Sequence, residues 1–208
     1  MTSKTYQISP WGVAQYPWLT KADTKFDDGG VFKFDLVLGG ADAIKFKEEV
    51  DSEAAKALER YFETDEGKKV APKLRKEWKA YSPLKVDTDD QEGDPTGYVV
   101  FKFKQKQTLR LKDGTTKLVK IGVKDASGKK EVTKPVFGGS ELRAMFTFRD
   151  IVMKADKQVG VQLAFAQVQV RKLAEPQGQG FEEAEGYHDE GHEDQSAPDQ
   201  NQAPGGDY

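Results

Sequence analysis

The sequence predicts a mostly β body, a small closed barrel of five strands with one helical insert, followed by a disordered acidic tail. Three observations predict it. Apolar and polar residues alternate with the period of a half-buried strand in several separate stretches, one long segment carries helical spacing, and the charge divides abruptly near residue 173. All 32 Lys and Arg lie at or before Lys172, against 25 of the 35 acids, so residues 1–173 carry +7 and residues 174–208 carry −10. The net charge of −3 conceals a basic body with an acidic tail.

At 208 residues, 37% hydrophobic and 11% aromatic, the chain can build one sizeable core with a remainder, hence one domain over 1–173 and a tail over 174–208. No apolar run approaches a membrane span, and the N-terminus MTSKTYQ lacks the apolar core of a signal peptide, so a cytoplasmic protein is expected. Without cysteine, disulfides, thiolate nucleophiles and cysteine-ligated zinc are excluded.

Residues 1–28 read as irregular and aromatic: Tyr6, Trp11, Tyr16, Trp18 and Phe26 are broken by Pro10 and Pro17 and interleaved with Lys4, Lys21 and Lys25. These rings either cap the end of a barrel or stack on bases. Val31–Leu38 is a first strand, with Phe32, Phe34, Leu36 and Leu38 on one face and Lys33 and Asp35 on the other. Gly39-Gly40 ends it, and Asp42 is the expected N-cap of a helix to about Phe62, in which Val50, Ala54, Ala57, Leu58, Tyr61 and Phe62 share a face. A second helix is expected over about 68–81, carrying Val70, Leu74 and Trp78, with Pro72 in its first turn. The run DTDDQEGD (87–94) is not a calcium loop, because counting back from Gly93 places Thr88 at the first ligand position.

Tyr98–Lys124 reads as a long hairpin, greasy on one side and basic on the other. Val99, Phe101, Phe103, Leu109 and Leu111 hold one parity, while Lys102, Lys104, Lys106 and Arg110 hold the other. Lys112-Asp113-Gly114 suits a three-residue bulged loop with glycine in the left-handed position. That register sets Val119, Ile121 and Val123 inside and Lys120 and Lys124 outside, with Leu118 a misfit. Eight Lys or Arg and a single acid, Asp113, fall between 98 and 124. A short strand is expected over 132–137, then Leu142–Arg149 with Arg143 facing out. In Val159–Leu173 the apolar parity switches, which a bulge near Ala166 explains.

Five coiled strands with Gly-rich corners, one helical insert after the first strand and no βαβ rhythm point to the five-stranded OB-fold, the oligonucleotide-binding barrel; a β-sandwich is the alternative. Residues 174–208, rich in Gly, Gln, Pro and acid, cannot bury enough apolar surface to order themselves.

No phosphate-binding glycine loop, nucleophile motif or paired-histidine zinc signature supports catalysis, and no cofactor is implied. His188 and His192 are four apart, but the flanking Gly186 and Gly191 in the tail argue against a metal site. Single-stranded DNA is held by a basic groove that tracks phosphates and by aromatic faces on which bases stack. The body has both, and the tethered tail would compete with nucleic acid for the groove.

The segments GGVFKFDL (29–36), VVFKFK (99–104), VKDASGKK (123–130), FGGSELRAMFTF (137–148) and VGVQLAFAQVQV (159–170), with an acidic tail closing on Asp207-Tyr208, resemble in the same order the replication single-stranded DNA-binding protein of short-tailed lytic phages. The resemblance implies an OB-fold protein, not an enzyme, that coats single-stranded DNA during replication and recombination in an infected bacterial host. It also implies annealing activity, a homodimer, and a tail that contacts the replicative DNA polymerase and the primase-helicase. The family's last residue is typically phenylalanine; Tyr208 keeps the ring. Two departures stand out: Gly29 occupies the place of an arginine before the first strand, and Ile151, Val152 and Met153 fall where the family has aromatics. Stacking is therefore expected to have moved to the N-terminal rings.

The expected DNA contacts are Lys33, Lys102, Lys104, Arg110, Lys112, Lys120 and Arg143 on phosphate, with Tyr6, Trp11 and Trp18 stacking and Lys4 and Lys21 among the DNA-binding residues; Asp207 and Tyr208 are the partner contacts. An RNA-binding module on the same barrel and an assembly factor acting through the tail are the alternative functions.

Overall fold

The computed structural model describes residues 5–25, 27–88, 95–111 and 113–175. A short strand β1 (Gln7–Ile8) leads into the long β2 (Gly12–Asp23), which turns back into β3 (Val31–Gly39). Helix α1 (Gly40–Glu63) follows directly, then the one-turn helices α2 (Asp65–Lys68) and α3 (Pro72–Arg75) and the short strands β4 (Lys79–Tyr81) and β5 (Leu84–Thr88). The lysine-rich β6 (Pro95–Lys106) is succeeded by a small hairpin of β7 (Thr108–Arg110) and β8 (Thr116–Leu118). After β9 (Gly122–Lys124) come two long strands, β10 (Glu141–Met153) and β11 (Gln158–Lys172).

The fold is mostly β, and its five long strands close on themselves in the order β2-β3-β6-β11-β10 and back to β2. The antiparallel seams β2–β3, β3–β6 and β10–β11 are extensive. The other two are narrow: β6 meets β11 in parallel at Phe103/Leu163, and β10 meets β2 at Glu141/Val13 and Leu142/Gly12. This is a partly open five-stranded barrel. A Cβ on Gly12 would fall 2.6 Å from the Val37 carbonyl oxygen, so only glycine lets the strands approach where the barrel shuts.

Phenylalanines fill the interior. Phe34 and Phe103 stack at 4.8 Å between centroids, with Phe165 edge-on to Phe34 at 5.1 Å and Phe146 edge-on to Phe103 at 5.5 Å. Helix α1 covers this core with Ala43, Phe46, Val50, Ala54, Ala57 and Tyr61, spaced three and four apart on one stripe, and Phe46 reaches Phe101 at 4.7 Å. Among the described residues no helix is long and apolar enough to cross a membrane.

Several expectations change. The N-terminal segment is not irregular: β2 is a full barrel strand, disguised in sequence because Tyr16-Pro17 breaks the alternation. Proline is tolerated there because the register shifts between Gln15 and Trp18, so Pro17 sits in a bulge where a missing N–H is not felt. The helix does follow the strand at 31–38, with β2 preceding both. Its N-cap is Gly39, not Asp42, which lies in the first turn and complements the helix dipole. In place of one helix over 68–81 there are α2, α3 and β4, with Pro72 at the start of α3.

The long hairpin is interrupted at Gln107. Both edges of β6 are already occupied, by β3 on one side and by β5 and then β11 on the other, so the returning chain cannot pair along it. It forms the separate β7/β8 hairpin, with Arg110 opposite Thr116 and Gly114 at φ 84°, which matches the expected bulged turn. It then rejoins the barrel as β9, parallel to β11. Val123 is buried and Ile121 packs on the core, but Leu111 and Leu118 are exposed. Residues 132–137 form no strand; Val132 donates its N–H to the Val123 carbonyl at 2.9 Å. In β11, Phe165 faces Phe146 and Gln167 faces Met145, leaving Ala166 as the expected bulge.

Candidate nucleic-acid interface

Strand alternation places Lys33 and Asp35 of β3 and Lys102, Lys104 and Lys106 of β6 on the outside, since the residues between them are buried. Cross-strand register then builds two rows. Trp18 of β2 lies opposite Lys33, which lies opposite Lys104; Gln15 lies opposite Asp35, which lies opposite Lys102. The Gln162 side-chain amide, donating to the Lys104 carbonyl at 2.7 Å, ties β6 to β11 beside this face.

The lysines of this face differ in their pairing. Lys33 Nζ contacts Asp23 Oδ2 at 2.5 Å, and this hydrogen bond holds the Asp23 carboxyl below its ordinary range. Lys106 contacts Asp27 at 3.3 Å. Lys102 and Lys104 make no ion pair among the described residues, and both are exposed. Lys33 opposite Lys104 is a like-charge pair that costs stability unless something negative is near. Asp23, in contact with Lys33, supplies that charge; Asp35 closes no ion pair among the described residues, and burial raises its pKa while Lys102, Lys104 and Lys33 pull it back down.

Aromatic surface flanks the lysines. Trp18 is 40% exposed in the row with Lys33. Tyr16, 74% exposed, stands at the bulge with φ 49°, a left-handed conformation that a bulky residue avoids. Tyr16 is absent from the sequence-derived set of contacts. Its signal was the Tyr-Pro step interrupting an otherwise alternating run.

The other expected contacts are dispersed. Trp11 sits at the β2–β10 seam, with the Arg143 guanidinium carbon 4.6 Å and that of Arg171 4.9 Å from its ring centroid. Arg143 also donates to Gln169 at 2.9 Å, and Arg171 is paired with Glu141. Trp11 and Arg143 therefore belong together, apart from the row of Trp18, Lys33 and Lys104. Tyr6 is exposed just before β1, which lies along β10. Lys21 is exposed on β2, and Arg110 is exposed on β7. Lys120 lines a cavity of about 380 Å³ with Leu19, Thr20, Phe32 and Glu131. Lys124 pairs with Glu131 at 3.3 Å. Lys4, Lys112, Asp207 and Tyr208 lie outside the described residues, as do 89–94, His188 and His192. Among the described residues no cluster of three or more acidic or imidazole side chains could hold a metal.

A family model described as "Single-stranded DNA-binding protein, Bacteriophage T7" matches residues 11–173. The chain belongs to this family. It is a family of non-enzymatic DNA-binding proteins, and the match spans every barrel strand. Among solved structures, the chain is similar to gp2.5, a single-stranded DNA-binding protein encoded by bacteriophage T7. That similarity has 23% identity and a TM-score of 0.64, covering 89% of this chain and 99% of that one. It is also similar to the single-stranded DNA-binding protein of bacteriophage Enc34 in complex with single-stranded DNA, at 17% identity and a TM-score of 0.54, covering 83% and 89%. At these identities the likeness establishes the shared barrel fold. No curated protein matches the sequence.

Proposed function

We propose that this phage single-stranded DNA-binding protein holds its strand across the outer face of β2, β3 and β6. The observation that carries the reading is the pair of exposed lysines Lys102 and Lys104, which make no ion pair among the described residues, Lys104 standing in register with Lys33 and Trp18 and Lys102 with Asp35. A lysine that closes no salt bridge gives up little when it meets phosphate, and each contact releases condensed counterions. Trp18 and Tyr16 supply faces for bases, and stacking tolerates any sequence because every base has a π-face.

The same chemistry suits coating of single strands in phage replication and recombination, in the cytoplasm of the infected bacterium. Neutralised phosphates repel a second strand less, which favours annealing. The tail, with −10 in 174–208, would compete for the lysine face until DNA displaces it. Once freed, Asp207 and Tyr208 would engage the replicative DNA polymerase and the primase-helicase, and the active species would be a homodimer. These assignments draw on the family resemblance and the charge division of the chain.

The test is fluorescence anisotropy of a labelled single-stranded oligonucleotide with residues 1–208 and with a 1–173 truncation, across a salt series. Log affinity should fall against log salt with a slope of about −0.7 per phosphate contacted, and the truncation should bind more tightly. An RNA competitor of the same sequence separates DNA from RNA preference. Absence of binding by either form would leave only the assembly-factor reading.

A further inference from the structure

Asp35 is the one acidic side chain in the two cross-strand rows, and it points outward from the middle of β3, between Gln15 and Lys102. It makes no hydrogen bond and no ion pair among the described residues, although Lys33, Lys102 and Lys104 all act on it electrostatically. It is half-buried by its neighbours, which limits where its two oxygens can point. A carboxylate that served only to balance lysines would be expected to close a salt bridge, as Asp23 does with Lys33 and Asp27 with Lys106. Asp35 instead presents free acceptor lone pairs on a face whose other charged groups donate.

We propose that Asp35 reads bases, accepting hydrogen bonds from the Watson–Crick edges of the bound strand and so ranking guanine first and thymine last. Guanine offers adjacent N1–H and N2–H donors that two carboxylate oxygens can accept together. Cytosine and adenine each offer one exocyclic amino group. Thymine presents a single N–H between two carbonyl oxygens, and these repel the carboxylate. The lysines beside Asp35 act on phosphates, which carry no sequence information. One side chain would thus superimpose a base preference on a binder that otherwise follows the backbone. The inference rests on strand binding at this face.

The experiment measures affinity at fixed salt and neutral pH for equal-length single strands of thymidine alone, alternating dG and dT, and alternating deoxyinosine and dT. The wild type should bind the guanine strand about tenfold more tightly than the thymine strand. Inosine, which lacks the 2-amino group, should remove much of that preference. Asp35→Asn and Asp35→Ala should bring the guanine-to-thymine ratio near one, while affinity for thymine strands holds or rises because a negative charge has gone. A wild type without preference, or a ratio unaltered in Asp35→Ala, overturns the proposal; the inosine strand tests it even if a variant fails to fold. Lys102→Ala with Lys104→Ala separates the two readings. If that variant binds like the wild type, the face itself is wrong; if it weakens all strands together while the Asp35 variants keep the ratio, Asp35 alone is wrong.

Discussion

Two regions of this barrel combine tryptophan with basic residues, and they are chemically unlike. On the β2-β3-β6 face, Lys102 and Lys104 make no ion pair among the described residues and Trp18 stands exposed beside Lys33. At the β2–β10 seam, Trp11 lies under two guanidiniums, Arg143 is bonded to Gln169, and Arg171 to Glu141. In the first region the two lysines stay exposed. The second has used its cations and its ring to hold three strands together. Composition alone cannot separate them, because the difference lies in which groups are already satisfied.

The largest effect should follow from removing the exposed lysines in the middle of β6. With Lys102→Ala and Lys104→Ala together, the salt slope should lessen by about 1.4, which amounts to roughly fifty- to a hundredfold in affinity at 50 mM salt, equally for all sequences. A salt titration of both proteins on two unrelated strands checks this. Equal binding would place the strand elsewhere on the barrel.

Next come the tryptophans, in opposite directions. Trp18→Ala should cost about tenfold in affinity, within the ~1–3 kcal/mol of a lost stacking partner, with little change in melting temperature. Trp11→Ala should lower the melting temperature, since two cation–π contacts of about 0.5–1 kcal/mol each are lost at the seam, and change affinity little. The reverse pattern, read by anisotropy and thermal melting on the same samples, would exchange the roles of the two regions.

How far the sequence already distinguished these regions depends on which property is local. Alternation is local, so the buried Phe32, Phe34, Phe101 and Phe103 and the outward Lys33, Lys102 and Lys104 could be read directly, and the parity switch in β11 located the Ala166 bulge. Helical spacing likewise marked the stripe of α1 that covers the core. Strand partnership is not local. Nothing in 107–124 reveals that both edges of β6 are taken, so the returning segment looked like a barrel strand, and β2, broken by Pro17, did not. The grouping of Trp11 with Arg143 and Arg171 joins residues separated by more than a hundred positions, which no spacing rule anticipates.

A smaller effect belongs to Tyr16. Its left-handed backbone costs on the order of 1 kcal/mol, which glycine would not incur, so Tyr16→Gly should leave stability equal or improved. If the strain serves to display the ring, the same change should weaken DNA binding by about fivefold. Stability gained without affinity lost would make the bulge a folding accommodation for Pro17 and nothing more.

The smallest effect concerns the cost of Asp35. Burial raises its carboxyl above the ordinary value near 3.8 despite three lysines, so the folded state binds the proton more tightly than the unfolded chain does. Stability attached to this group is therefore greatest at low pH and is lost as pH rises through the folded pKa. Asp35→Asn should accordingly melt slightly higher than the wild type at neutral pH. The advantage should shrink as pH falls toward the ordinary carboxylate range, where Asp35 is protonated in both states. Melting curves from pH 3.5 to 7.5 give the comparison. A variant that is more stable yet loses base preference would mean that the carboxylate persists for what it does to the strand, whereas a less stable variant would mean that Asp35 chiefly screens Lys33 from Lys104.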